Sequence, residues 1–334
     1  MLQCLSMRSD IKYIGIGLLI GGVTAVIINM GAFLAGILPL APTPQAVTQP
    51  SRAPFTLTPA FTPTSDPAPY LDLSVSPTPD LEILLADQII QTLPDYGGDW
   101  NILIREDGNK VLFSLNAEQK IHVASIIKVP IAMLFFKSVE EKGIPPSTYA
   151  EYLSTRGIGR TYQQLLKAML VDSEEDATRT LRDIIRESQI DVDAALQAWG
   201  AFDTDISSRY STPQDVAALF ESLYFGTAIT PEGRQIILDL LSTYTPNDDT
   251  RLGVLRASLP AGSKFYNKRG TVTEGRLIVG DAALMAWDEG GREKVHVIVA
   301  LSYVGELPTT DVKLVKGIES IARLFWNFAA PPSP

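Results

Sequence analysis

The sequence predicts an α+β domain: an antiparallel sheet contributed by both ends of the domain, helices on both of its faces, and a helical subdomain inserted between the strands. Three observations carry this. Strand-like runs fall in two groups, Trp100–Arg105 with Lys110–Leu115, and far downstream Lys264–Lys268, Leu277–Trp287 and Lys294–Tyr303. The stretch between the groups reads as one helical segment after another, with apolar residues at the 3.6-residue period. Helical segments also open and close the set, at Leu81–Leu93 and Val312–Phe328. Strands and helices segregated in this way give an α+β architecture rather than an alternating one.

Taken in order, the chain begins with a short tail, residues 1–12, that carries Arg8 and Lys12. Residues 13–41 contain no Asp, Glu, Lys or Arg, and about 20 apolar residues suffice to cross a bilayer. The basic flank predicts a single-pass signal-anchor helix with its N-terminus in the cytoplasm and all that follows outside. The apolar run exceeds the ~7–15 residues of a cleaved signal, so an uncleaved anchor is expected. Residues 42–80 change character: ten of the 23 prolines lie here, among Thr, Ser and Ala. Such a segment buries no core and reads as an extended spacer, reaching on the order of 100 Å at ~3.1 Å per residue.

The folded domain is expected over 81–334. Pro94-Asp-Tyr-Gly-Gly98 ends the first helix, and Glu106-Asp-Gly-Asn109 joins the first two strands as a hairpin turn. Helices are predicted from Ser125 to about Lys142, at Tyr162–Leu170, at Ala177–Arg186 and at Asp191–Trp199. Ser211-Thr-Pro-Gln-Asp215 is a strong helix start, with a hydroxyl cap and proline in the first turn, and its apolar face is Val216, Leu219, Phe220 and Leu223. Thr230-Pro-Glu-Gly starts the next helix, through Leu241.

Composition narrows the chemistry. The net charge of −10 and pI near 4.8 exclude a nucleic-acid partner, which needs a basic face. One cysteine and two histidines build no ordinary structural zinc site and no intrachain disulfide. No metal and no organic cofactor is expected. The chemistry-bearing stretch is Lys120–Lys137, where Ser125 and Lys128 stand in the spacing Ser-x-x-Lys at the head of a run that is apolar nearly all round. Residues three apart share a helix face, so the hydroxyl and the amine can meet in a dry pocket. A serine becomes nucleophilic when a base takes its proton, and a lysine is that base only when neutral, a state favoured by burial and by a nearby cation. His122 and His296 are read as structural, because no third residue is placed to orient either in a triad.

Two further landmarks follow. Ser173-Glu-Glu175 sits between helices, and Lys268-Arg-Gly-Thr271 ends a strand. With Ser125-Ile-Ile-Lys128, their order and spacing resemble the Ser-x-x-Lys, Ser-Asp-Asn and Lys-Thr-Gly elements of class A β-lactamases and penicillin-binding proteins. The run Asn247-Asp-Asp-Thr-Arg251 through Leu259-Pro-Ala-Gly262 also resembles the approach to the third element. The resemblance spans roughly Leu81 to Phe328. It implies that Ser125 is the acylated nucleophile, Lys128 its proton acceptor, Ser173 a proton relay, and Lys268 the cation that orients the relay and attracts a substrate carboxylate. It further implies an oxyanion hole from the N–H groups of Ser125 and Thr271, with Glu175, Arg269, Gly270 and Thr271 lining the substrate site.

The departures from the family pattern carry expectations of their own. Glu175 stands where the family has an amide, and a carboxylate there favours charged Lys128. Arg269 stands where a hydroxyl is usual, adding a fork for carboxylates. The segment between Trp199 and Thr212 is short where class A enzymes carry a long loop with the glutamate and asparagine that activate the deacylating water. Asp203 and Asp205 are the nearest acids, read first as loop or cap residues. The expectation is a membrane-anchored, extracytoplasmic serine hydrolase that forms a Ser125 ester with a β-lactam or a peptidoglycan-like amide and releases it slowly. The alternatives are a D,D-peptidase or cell-wall amidase, and a penicillin-recognising sensor without turnover.

Overall fold

The computed structural model describes residues 81–157, 159–243, 250–273, 277–304 and 309–330. The expected tail, span and spacer (1–80) lie outside these residues, as does most of Asn247–Thr250. Among the described residues, no helix is long and apolar enough to cross a membrane.

A five-stranded antiparallel sheet organises the domain, in the order β2-β1-β7-β6-β5. β1 (Asp99–Glu106) and β2 (Lys110–Leu115) come from the N-terminal part; β5 (Lys264–Val272), β6 (Ile278–Glu289) and β7 (Arg292–Tyr303) come from the C-terminal part. The two groups meet along β1 and β7, from Asp99↔Tyr303 to Glu106↔His296. The β1–β2 hairpin turns where the Asp-Gly signal predicts, with Asp107 and Gly108 both left-handed at φ 50° and 78°.

Alternation along β1 feeds two cores. Ile102 and Ile104 pack with Leu85, Ile89, Ile318 and Phe325, beneath α1 (Leu81–Thr92) and α9 (Asp311–Ala329). Leu103 faces the other way, into the core built on α2 (Lys128–Glu141), α4 (Tyr162–Leu170), α5 (Glu175–Glu187), α7 (Pro213–Phe225) and α8 (Pro231–Ser242). The sheet therefore carries helices on both faces, with the helical block inserted between β2 and β5, as expected. α7 begins as its sequence predicts: Thr212 Oγ1 accepts from Asp215 N at 3.0 Å, and Val216, Leu219, Phe220 and Leu223 are all buried. Such a cap is worth ~1 kcal/mol.

Two features were not in the sequence reading. A six-residue helix, Tyr149–Ser154, buries Tyr149 and Leu153, too short to leave a period in the sequence. A two-stranded ribbon pairs β3 (Ile121–His122) with β4 (Tyr210–Ser211). The predicted Ser125 helix is also divided. Residues Ala124–Ile127 form a 3-10 turn, and α2 begins at Lys128. Pro130 then falls in the first turn of α2, where its missing N–H costs nothing.

Candidate active site

Three elements converge on Ser125. It is half-buried on the 3-10 turn between β3 and α2. In a 3-10 turn, residues three apart eclipse one another, so Lys128 lies on the Ser125 side. Ala124, immediately before, is held left-handed at φ 52°, a conformation that costs a non-glycine residue energy and clusters at functional sites. β5 is the edge strand of the sheet, so alternate N–H groups along it point away from β6. Gly270 on β5 presses against the turn: a Cβ there would lie 2.8 Å from Val123 O, 3.0 Å from Ala124 Cβ and 3.2 Å from Ser125 N. Only glycine lets the third sequence element come this close to the nucleophile's own N–H.

The second sequence element, Ser173-Glu-Glu175, enters from the loop before α5 and the first residue of that helix. Ser173, itself left-handed at φ 58°, places its Oγ 3.2 Å from Lys128 Nζ and 3.0 Å from Lys268 Nζ. One hydroxyl is thus held between two buried lysines, Lys128 at 0% and Lys268 at 5% exposure. Lys128 Nζ donates further to Ser173 O at 2.5 Å and meets Glu175 Oε1 at 2.7 Å. Among the described residues its hydrogen bonds go to Ser173 and Glu175, and none to Ser125.

A cation that the sequence reading did not single out completes the cluster. Arg209, just before β4, sends both terminal nitrogens to the Glu175 carboxylate: Nη1 donates to Oε1 at 3.3 Å, and Nη2 donates to Oε2. Its signal in the sequence was slight, a basic residue in the short segment before Thr212. Its position depends on long-range pairing, since Val123 N donates to Arg209 O at 2.9 Å and the β3–β4 ribbon follows directly.

The electrostatics follow from this geometry. Burial drives the Lys128 ammonium below the ordinary lysine value; Glu175 pulls the other way, and the field of Arg209 adds to the lowering. The expectation that Glu175 favours charged Lys128 is met in sign, but burial outweighs it. The neighbouring cation that helps is Arg209. Burial alone would raise the Glu175 carboxyl, yet the hydrogen bonds from Arg209 and Lys128 hold it at about 2.

The remaining candidates separate. Thr271 is exposed, and its Oγ1 accepts from Arg251 Nη2 at 2.7 Å. Arg251 Nη1 also donates to Gly270 O at 3.1 Å and to Gly280 O at 2.9 Å, pinning β5 beside the turn. Arg269 is half-buried on the same strand. Asp205 caps its own turn, accepting from Ser207 N at 2.7 Å and from Ser208 Oγ at 2.5 Å, and Asp203 is exposed. Both follow the loop reading. His122 Nδ1 accepts from Ala124 N at 3.2 Å, bracing the turn, while buried His296 stacks on Trp287 at 4.5 Å. Beside the turn opens a cavity of about 320 Å³, lined by Lys120, His122, Tyr210, Ile278 and Tyr303 among others. Another cavity, about 620 Å³ between α5 and the Asp205–Ser207 turn, takes Asp205 into its lining but none of Ser125, Lys128, Ser173, Glu175 or Lys268.

Comparison with known proteins gives a consistent result. A family model described as the beta-lactamase enzyme family matches residues 84–329. A search of curated proteins gives no match. Among solved structures, a beta-lactamase from Chitinophaga pinensis is similar at 16% identity and TM-score 0.56, covering 73% of this chain and 98% of that one. An ancestral class A beta-lactamase is similar at 21% identity and TM-score 0.56, covering 73% and 99%. The structure of PBP-A is similar at 20% identity and TM-score 0.56, covering 73% and 95%. At these identities the likeness is one of fold.

Proposed function

The chain belongs to the beta-lactamase enzyme family, and on that premise we propose that it is a serine hydrolase that forms an ester at Ser125 on a β-lactam or a peptidoglycan-like amide and releases it slowly. The observation that carries the reading is Ser173 Oγ suspended between Lys128 and Lys268, with Ser125 on the adjoining turn. Neutral Lys128 accepts the Ser125 proton as Oγ attacks the carbonyl carbon. The oxyanion gathers on the N–H groups of Ser125 and Thr271, an interaction worth ~3 kcal/mol per donor in comparable sites. When the C–N bond breaks, the proton held by Lys128 passes through Ser173 Oγ to the leaving nitrogen, and Lys128 is neutral again. Water then splits the ester, returning the proton to Ser125 and leaving a carboxylic acid.

Slow release rests on the state of the acids. Deacylation needs a base for water, and a carboxyl held at about 2 by two cations is a weak one. Asp205 is engaged by its own turn, through Ser207 N and Ser208 Oγ, and Asp203 is exposed. The same features support a second reading: a penicillin-recognising domain that acylates and does not turn over. In either case we place the domain outside a membrane, on the anchor and spacer read from residues 13–41 and 42–80. A fluorophosphonate probe tests the chemistry. Labelling is expected to vanish in Ser125→Ala and to slow at least ~100-fold in Lys128→Ala. Undiminished labelling of Ser125→Ala would mean a different nucleophile.

A further inference from the structure

The loop before β4 supplies a charge opposite to the one the resemblance implies for it. Class A enzymes carry a glutamate there, and an amide at the second element; here the carboxylate stands at the second element, as Glu175, and the loop delivers Arg209. The charged groups facing Lys128 among the described residues are Glu175 from α5, Arg209 from this loop, and Lys268 from β5 across Ser173 Oγ. Glu175 is therefore shared. One oxygen meets Lys128 at 2.7 Å, while both oxygens are engaged by the guanidinium.

We propose that Arg209 is a positioning residue that keeps Lys128 available as a base, by gripping Glu175 with both terminal nitrogens and so withholding the carboxylate from full pairing with the lysine. The inference rests on the hydrolase reading above and adds to it the control of its base. A planar guanidinium matches a carboxylate in two-point geometry, as an ammonium cannot. The resulting pair is close to neutral as seen from Lys128. Without Arg209, the full Glu175 charge would act on a buried ammonium and favour its protonated form. The lowering of Lys128 agrees in direction: burial is the main cause, and the field of Arg209 adds to it.

A purely structural role for the side chain fits less well. The loop is held to the nucleophile turn by its backbone, through Val123 N to Arg209 O and the β3–β4 pairing, and these contacts do not use the guanidinium. Arg209 also sits left-handed at φ 62°, where glycine or asparagine would be cheaper. The long side chain is carried at that cost and ends on the carboxylate that touches Lys128.

The test reads Lys128 directly. In protein labelled with 13Cε-lysine, the Lys128 resonance is assigned by its loss in Lys128→Met and then titrated. Arg209→Gln is expected to raise the Lys128 midpoint by about 1–2 pH units. Arg209→Lys restores part of the shift, and Glu175→Gln/Arg209→Gln returns the midpoint to the wild-type value or below. A Lys128 midpoint that stays put or falls in Arg209→Gln overturns the proposal. Ser125 acylation, followed in parallel against pH, should show the same displacement, with wild-type and Arg209→Gln rates converging above the higher midpoint. A rate lost equally at every pH also overturns it, as a structural effect would. Absence of any Ser125 labelling in the wild type would count against the hydrolase reading, while the titration would still decide the role of Arg209.

Discussion

Gly270→Ala tests whether contact between β5 and the nucleophile turn sets the site. The methyl would lie 2.8 Å from Val123 O and 3.0 Å from Ala124 Cβ, where ordinary contact begins at about 3.4 Å. Strand and turn must therefore part by about 0.6 Å. Neither side gives easily. The obstructing atoms are a carbonyl oxygen and a short, fully buried side chain, and β5 is fastened by Arg251 through Gly270 O and Thr271 Oγ1. Overpacking of this kind costs ~1–3 kcal/mol, which lowers Tm by roughly 2–12 °C in a domain of this size. The larger effect falls on chemistry. A displacement of about half an ångström takes an oxyanion donor out of productive geometry, and one such donor is worth ~3 kcal/mol, on the order of 100-fold in rate. Stopped-flow acylation by a chromogenic β-lactam, with a thermal melt of the same sample, measures both. Wild-type acylation at an unshifted Tm would show that the close approach of β5 to the turn has no bearing on the oxyanion site.

Three further outcomes are expected. Glu175→Asn removes the carboxylate that opposes a neutral Lys128 and should speed acylation roughly tenfold at pH 7 without hastening release; slower acylation in stopped-flow would contradict this. Glu175 is held at about 2 against an ordinary 4.5, so the folded protein binds fewer protons there than the unfolded chain. Its contribution is complete above the ordinary value and is lost as pH falls from about 4.5 toward 2. With its side chain 44% exposed the effect is at most ~1 kcal/mol. The Tm difference between wild type and Glu175→Gln should hold steady from pH 5 to 7 and narrow below pH 4; a difference unchanged at pH 3 would rule it out. Finally, protease added to intact cells or spheroplasts should remove the domain, and full protection while an external marker is digested would refute the outward topology.

The parts of this site legible in the sequence are those fixed by local spacing. Ser125 and Lys128 are three apart, and their lying on one side follows from any helical turn, so the division into a 3-10 turn and α2 left that reading intact. The strands of the sheet were legible because β6 and β7 are buried on both faces and read as long apolar runs. Arg209 was not legible. Its place beside Glu175 comes from a ribbon that joins β3 to a segment far away in sequence, and no local period marks a two-residue strand. The grip of Arg251 on β5 depends likewise on strands assembled across the chain. The sign of the Glu175 effect on Lys128 could be read from charge alone. The outcome could not, because it turns on how completely Lys128 is buried.

The most direct measurement is the intact mass of the purified domain after incubation with excess benzylpenicillin, followed over time and mapped by peptide. One covalent adduct is expected, on the Ser125 peptide, persisting long after mixing and absent from Ser125→Ala. Penicillin cleared many times per second with no adduct detectable would contradict slow release, and an adduct that persists in Ser125→Ala would contradict the assignment of the nucleophile.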